Sequence, residues 1–332
     1  MLPSEAVGYE LVEKLGEGTF GKVFKALCPR KYGKMAVAVK IIPADADAGE
    51  TAMEIEMLKE CASDNIVRYH ASFPYKNELW IVMEYCAGSS LCDIIEARAR
   101  CLSELQIAAV MSEALAGLSY LHARGKIHRD IKAANLLLTD RGRVKLADFG
   151  VAAQLSATFA KRGTVIGTPF WMAPEVISSP SGPGAEAGYH TKADMWSLGI
   201  TAIELAEGQP PHASLHPMRA IFLIPTASPP QIKEPESWSD AFITFLSRCL
   251  VKDPSERLDA PALERDPFIE SGRGCAITAL AELYASAAEP LAKFRERHNS
   301  IASNSGTGIP ETDFEAIRKV AEQQCREQEK LE

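Results

Sequence analysis

The sequence lacks any CxxC pair. Its eight cysteines (Cys28, Cys61, Cys86, Cys92, Cys101, Cys249, Cys275 and Cys325) are scattered along the chain. That excludes a zinc ribbon or a dithiol redox motif and reads as free thiols in a reducing compartment, used as small apolar residues. Long apolar runs are missing too: the longest, around residues 195–206, is interrupted by Glu204, so no membrane span is expected. Basic residues are outnumbered, 36 Lys and Arg against 44 Asp and Glu, for a net charge of −8. A general affinity for nucleic acid is therefore not expected. The stretch Met1-Leu2-Pro3-Ser4-Glu5 has neither a basic leader nor an apolar core, so no secretory signal is predicted and a cytoplasmic protein is. A chain of 332 residues accommodates one large domain or two small ones.

What the sequence does contain centres on His128-Arg129-Asp130-Ile131-Lys132-Ala133-Ala134-Asn135. This polar stretch lies between an apolar segment (115–121) and the strand-like Leu136-Leu137-Leu138, which is where a rigid scaffold presents chemistry. An Asp can take a proton from a hydroxyl, a neighbouring Lys can steady developing negative charge, and an Asn carbonyl can hold a hard cation. Asp148-Phe149-Gly150 then supplies a second carboxylate on another turn. By itself, a loop aspartate is more often a turn or a helix cap.

Upstream, Gly16-Glu17-Gly18-Thr19-Phe20-Gly21-Lys22-Val23 has three competing readings. A dinucleotide fingerprint needs the glycines to open a helix, but Lys22-Val23-Phe24-Lys25-Ala26 alternates as a strand. A P-loop needs Ser or Thr where Val23 stands. A glycine-rich strand-turn-strand flap over phosphates survives both tests; a hairpin without ligand is its bland alternative. In Ala36-Val37-Ala38-Val39-Lys40 the alternation puts Ala38 and Lys40 on one face, suiting a flat base with phosphates attached. A helix over 49–61 offers a carboxylate for that lysine. Glu54, with Met57 and Leu58 following at helical spacing, faces inward, while Glu56 faces water.

Together and in this order, these pieces resemble the protein kinases, and the resemblance spans about residues 8–272. It implies an α+β, bilobal protein-kinase fold: a small antiparallel-sheet lobe with one helix and a larger, mainly helical lobe. Residues 164–175, 82–86, 194–204 and 216–222 are further similar to the sterile-twenty-like kinases, most of all to the germinal-centre branch that includes the Hippo-type kinases. The implied cofactors are ATP and Mg2+. Leu15, Gly16, Glu17, Gly18, Thr19, Phe20, Gly21 and Lys22 would cover the nucleotide. Val23, Ala38 and Leu137 would enclose the adenine, Met83 would guard the back of its pocket, and the backbone of Glu84 and Cys86 would meet its edge. Lys40, oriented by Glu54, would grip the α- and β-phosphates.

The same resemblance makes Asp130 the base or hydroxyl-orienting group and sets Lys132 against the transferring phosphate, a choice that goes with Ser/Thr substrates. Asn135 and Asp148 would hold magnesium. A phosphate on Thr164 would draw in Arg129 and order the segment after Gly150, and Thr168 would bind Asp130 and Lys132. Glu175 should pair with Arg257, and Asp194 should support the catalytic-loop backbone. The implied activity is Ser/Thr protein phosphorylation upstream in a signalling cascade. Protein substrates, downstream kinases and adaptors are the implied partners, and a homodimer is allowed. A pseudokinase or scaffold module is the alternative, and it is disfavoured because Lys40, Asp130, Asn135 and Asp148 are all present.

The expected layout is an N-terminal extension (1–8), a kinase domain (9–272, its small lobe 9–86 and large lobe 87–272) and a helical tail (273–332). The tail should break at Pro290 and carry a flexible linker near 299–310. Residues 178–188, rich in Gly, Pro and Ser, read as a surface loop.

Overall fold

The computed structural model describes residues 8–18, 21–28, 34–43, 55–56, 58–148, 169–178 and 191–304. The chain divides into two compact units. One comprises residues 1–62, 67–86 and 289–332; the other comprises 63–66 and 87–288.

The first unit holds an antiparallel sheet of five strands, β1 (Glu10–Gly18), β2 (Gly21–Leu27), β3 (Ala36–Pro43), β4 (Tyr69–Tyr75) and β5 (Glu78–Glu84), in the order β1-β2-β3-β5-β4. Alternate residues of these strands bury one apolar cluster in which Phe24, Val37, Val39, Phe73, Trp80 and Val82 meet. The rings of Tyr75 and Trp80 pack edge to face at 5.2 Å, an arrangement that adds to simple burial. The central strand β3 is buried on both faces from Val37 to Ile42, so its alternation separates two buried surfaces rather than core from solvent. β1 carries two register shifts against β2, one between Leu11 and Glu13 and one between Lys14 and Gly16. The second leaves Leu15 as the extra residue of a bulge, a device that bends a strand and re-aims a side chain.

The second unit is mostly helical. α1 (Leu91–Arg98) and α2 (Glu104–His122) both start on capping boxes, Ser90 with Asp93 and Ser103 with Gln106. Each box satisfies two N–H groups that a helix start leaves without partners. A short β6–β7 hairpin (Leu136–Leu138, Val144–Leu146) follows, then α3 (Pro174–Ser178), α4 (Thr191–Glu207), α5 (Pro217–Thr226), α6 (Asp240–Cys249) and α7 (Ala260–Leu263). α4 is buried continuously from Ala193 to Leu205, as a helix enclosed by other helices must be. The expected α+β class, with a small antiparallel sheet and a larger helical part, is what the chain forms. Among the described residues no helix is long and apolar enough to cross a membrane.

The tail differs from expectation in one respect. α8 runs from Pro267 to Asn304 with Pro290 inside it, rather than breaking there, and it extends into the stretch expected to be a linker. A proline mid-helix removes one backbone hydrogen bond. Here Leu280, Leu283, Ala287 and Leu291 form a buried stripe at helical spacing across that position, and losing the helix would expose it. Residues 305–332 lie outside the described residues.

Candidate active site

Site residues in the helical unit are set by the segment between α2 and β6. Its backbone is fixed from below by Asp194, which is 1% exposed. The carboxylate accepts the His128 N–H at 2.9 Å and the Arg129 N–H at 2.8 Å, and its Oδ2 lies 2.8 Å from His122 Nε2. Arg129 has φ +72°, a left-handed conformation that costs a non-glycine residue free energy and needs such an anchor. His128 is fully buried. Burial holds its imidazole below its ordinary value, against the pull of Asp194 and Asp130. A neutral ring matches its bonds: Nε2 lies 3.1 Å from the Ala147 carbonyl, so Nε2 carries the proton. Nδ1 is left to accept the Asp130 N–H at 3.4 Å.

On this base three predicted residues converge. Asp130 Oδ2 accepts from Lys132 Nζ at 2.8 Å and from Asn135 Nδ2 at 2.8 Å. Asn135 Nδ2 also donates to the Asp130 carbonyl at 2.7 Å. Both bonds use the Asn135 nitrogen, so its side-chain oxygen remains the acceptor end, the end a hard cation takes. The Asn135 carbonyl accepts from Ala147 N at 2.9 Å, which ties this turn to the residue preceding Asp148. Asp148 is exposed, with φ +51°. Leu137 sits in β6, bridged to Ser90.

Glu175 and Arg257, expected to pair, do so through two parallel bonds of 2.7 and 2.9 Å. Arg257 is 1% exposed and also donates to the Val251 and Lys192 carbonyls at 2.8 and 2.7 Å. A buried guanidinium needs such full satisfaction.

The sheet unit carries the others. Register places Val23 opposite Lys40 and Ala38 opposite Met83, so the predicted adenine-facing residues and the lysine are neighbours in one sheet. Lys40 is buried, 7% exposed. Glu17 forms an ion pair with Lys14, whose hydrogen bond holds the Glu17 carboxyl below its ordinary value. The β1–β2 turn requires glycine at Gly21: its φ is +135°, and a Cβ there would stand inside the Ile41 carbonyl of β3. Glu84 N donates to the Arg68 carbonyl at 2.8 Å, and Cys86 is buried. Glu56, expected to face water, is exposed. Glu54, Thr19, Phe20, Thr164 and Thr168 lie outside the described residues.

One acidic residue stands out in the sequence only as an interruption of an apolar run. Glu204, 5% exposed, accepts from Ala133 N at 2.9 Å and Trp171 Nε1 at 2.8 Å, both at Oε2. Burial pushes its carboxyl up to about 7, against the hydrogen bonds from Ala133 and Trp171 and the attraction of Lys132. A charge inside an otherwise buried helix was the available signal.

The sheet unit thus carries a buried lysine, and the helical unit presents an aspartate–lysine–asparagine loop. Residues 9–269 match the family model described as "Protein kinase domain"; the chain belongs to the protein kinase family. Protein kinases transfer phosphoryl groups to proteins and in general use ATP with Mg2+.

Proposed function

We propose that this chain is a Ser/Thr protein kinase of the sterile-twenty-like family, in its germinal-centre branch, transferring the γ-phosphoryl group of MgATP to protein hydroxyls. The observation that carries the reading is the convergence of Lys132 and Asn135 on one oxygen of Asp130. Oδ2 is occupied by two donors, which orients the carboxylate and directs Oδ1 toward an incoming hydroxyl. Asp130 would then position that hydroxyl and accept its proton, while Lys132 balances charge on the group in transfer. In the sheet unit, Lys40 serves the nucleotide phosphates, and Val23, Ala38 and Met83 serve the base. In the helical unit, Asn135 and Asp148 suit magnesium, which keeps few protein ligands and takes the rest from phosphates and water. Asn135 and Asp148 would hold the metal, which would supply positive charge against that of the phosphates.

Thr164, with Lys161 and Arg162 before it, is the activating phosphorylation site in this reading, with Arg129 as the phosphate's partner. The protein acts upstream in a cascade, and its partners are substrate kinases and adaptors. Mass spectrometry after incubation with MgATP tests the proposal. Phosphate on Thr164 is expected in the wild type and absent in Asp130→Asn. A wild type that labels neither itself nor a basic protein substrate would instead make the chain a nucleotide-binding scaffold.

A further inference from the structure

Across the sheet, register lines up Glu13 of β1, Lys25 of β2, Ala38 of β3 and Met83 of β5 as successive cross-strand partners. Residues directly opposite one another on paired strands point to the same face, so the four form one row. Ala38 and Met83 serve the base in the proposed function, and two charged positions that it leaves unused lead up to them. A bulge puts Glu13 in this row. Leu11 faces Ala26, and unbroken pairing would set Val12 opposite Lys25; instead Val12 is the extra residue, 48% exposed, and Glu13 takes the place. Bulges re-aim side chains in this way. Lys25 Nζ lies 4.9 Å from the centroid of the Tyr85 ring, within cation–π range. Tyr85 stands between Glu84 and Cys86, whose backbone would meet the adenine edge. The sheet unit also includes residues 289–304, the last turns of α8. From these turns Arg295 brings its Nε to 4.0 Å from Glu13 Oε1, with the two side chains only 23% and 19% exposed. Guanidinium, carboxylate, ammonium and the negative face of a ring thus alternate in sign up to the rim of the base pocket.

We propose that Arg295 is a positioning residue for nucleotide binding: the end of α8 holds Glu13, and through it fixes Lys25 and Tyr85 at the rim of the adenine site. The inference rests on the kinase reading above. β1 is an edge strand, paired on one side only and interrupted by two register shifts, so its placement needs support from outside the sheet. Without Arg295, the Glu13 carboxylate has Lys25 as its opposite charge and competes with the Tyr85 ring for that ammonium. The base would then have to order the rim as it binds, a cost that preorganisation removes. Such a loss weakens ground state and transition state alike, so it raises KM for ATP and spares kcat.

Calorimetric titration with MgADP and ATP kinetics on a basic protein substrate, both in the full chain, test the inference. Arg295→Leu removes the charge and keeps an apolar side chain; Glu13→Gln removes the opposite charge. Each should raise the Kd for MgADP and the KM for ATP about two- to fivefold, the range of a partly exposed ion pair, with kcat unchanged. The double variant should be no worse than either single one, because the same interaction is lost in all three. Arg295→Lys should stay near the wild type. Salt at about 1 M, where screening reaches in to about 3 Å, should shrink the difference between wild type and Arg295→Leu. Variants that keep the wild-type Kd and KM overturn this inference alone. Variants that lose kcat and melting temperature together overturn it too, because they mark general support of the fold. A wild type that labels no protein overturns the kinase reading, while the MgADP comparison still decides the role of Arg295; a wild type that does not bind MgADP overturns both.

Discussion

A carboxylate buried to 5% exposure is expensive to keep charged, and Glu204 stays where helix propensity and burial alone would favour leucine. Its folded value of about 7 lies above the ordinary 4.5. The folded protein therefore binds this proton more tightly than the unfolded chain does. The stabilisation linked to that proton is complete below the ordinary carboxylate value and is lost as pH rises through about 7. At pH 8 the ionised group costs on the order of 3 kcal/mol at most, taking about 1.4 kcal/mol per pH unit. Glu204→Gln should therefore melt above the wild type at pH 8, with the gap closing toward pH 5, while its activity falls. Stability and rate moving in opposite directions mark a group kept for function; a variant that melts lower at pH 8 would mark a structural one. Asp130, Lys132 and Asn135 were legible because their contacts span at most five positions, so spacing alone groups them. Lys40 was legible from strand alternation. Glu204 was not, because its partner Ala133 lies 71 positions away, and no local pattern reveals a bond made by folding α4 beneath a loop.

At the scale of elements, strand and helix patterns were read well wherever one period dominated. β2 and β3 lie where alternation put them. The bulge at Leu15 and the passage of α8 through Pro290 were not readable. The first depends on register against a partner strand, and the second on a buried stripe outweighing a local breaker. The β1–β2 hairpin carries a sharper consequence. A methyl group at Gly21 would enter the Ile41 carbonyl, beside Lys40, while Gly16 has no neighbour within 4 Å of an added Cβ. Gly21→Ala should cost about 1–3 kcal/mol through strain at its positive φ and displace β3, raising KM for ATP. Gly16→Ala should leave the melting temperature close to that of the wild type. Thermal melts with ATP titrations decide it, and equal melting temperatures for the two variants would contradict the geometry.

Across the whole molecule the charge balance is unfavourable to the proposed ligand, because a chain of net charge −8 has no overall attraction for a polyphosphate. Screening confines electrostatics to about 8 Å at physiological salt, so binding must come from local cations and from the metal. In the proposed function those cations are Lys40 in the sheet unit and Lys132 in the helical unit. Among the described residues no cluster of three or more His, Cys, Asp or Glu side chains could hold an ion alone. With Asn135 and Asp148 as its few protein ligands in the proposed function, the metal should bind with the nucleotide as a pair, each weakly without the other. A ligand that binds only the folded state at a hundred times its Kd stabilises it by about 2.7 kcal/mol, which for a protein of this size raises Tm by several degrees. MgATP should produce that shift, ATP with EDTA should produce much less, and magnesium alone almost none. Asp148→Asn should remove the magnesium-dependent part and spare the remainder. If ATP with EDTA shifts Tm as far as MgATP does, the metal is not held at Asn135 and Asp148, and the nucleotide is gripped by the protein's own cations alone.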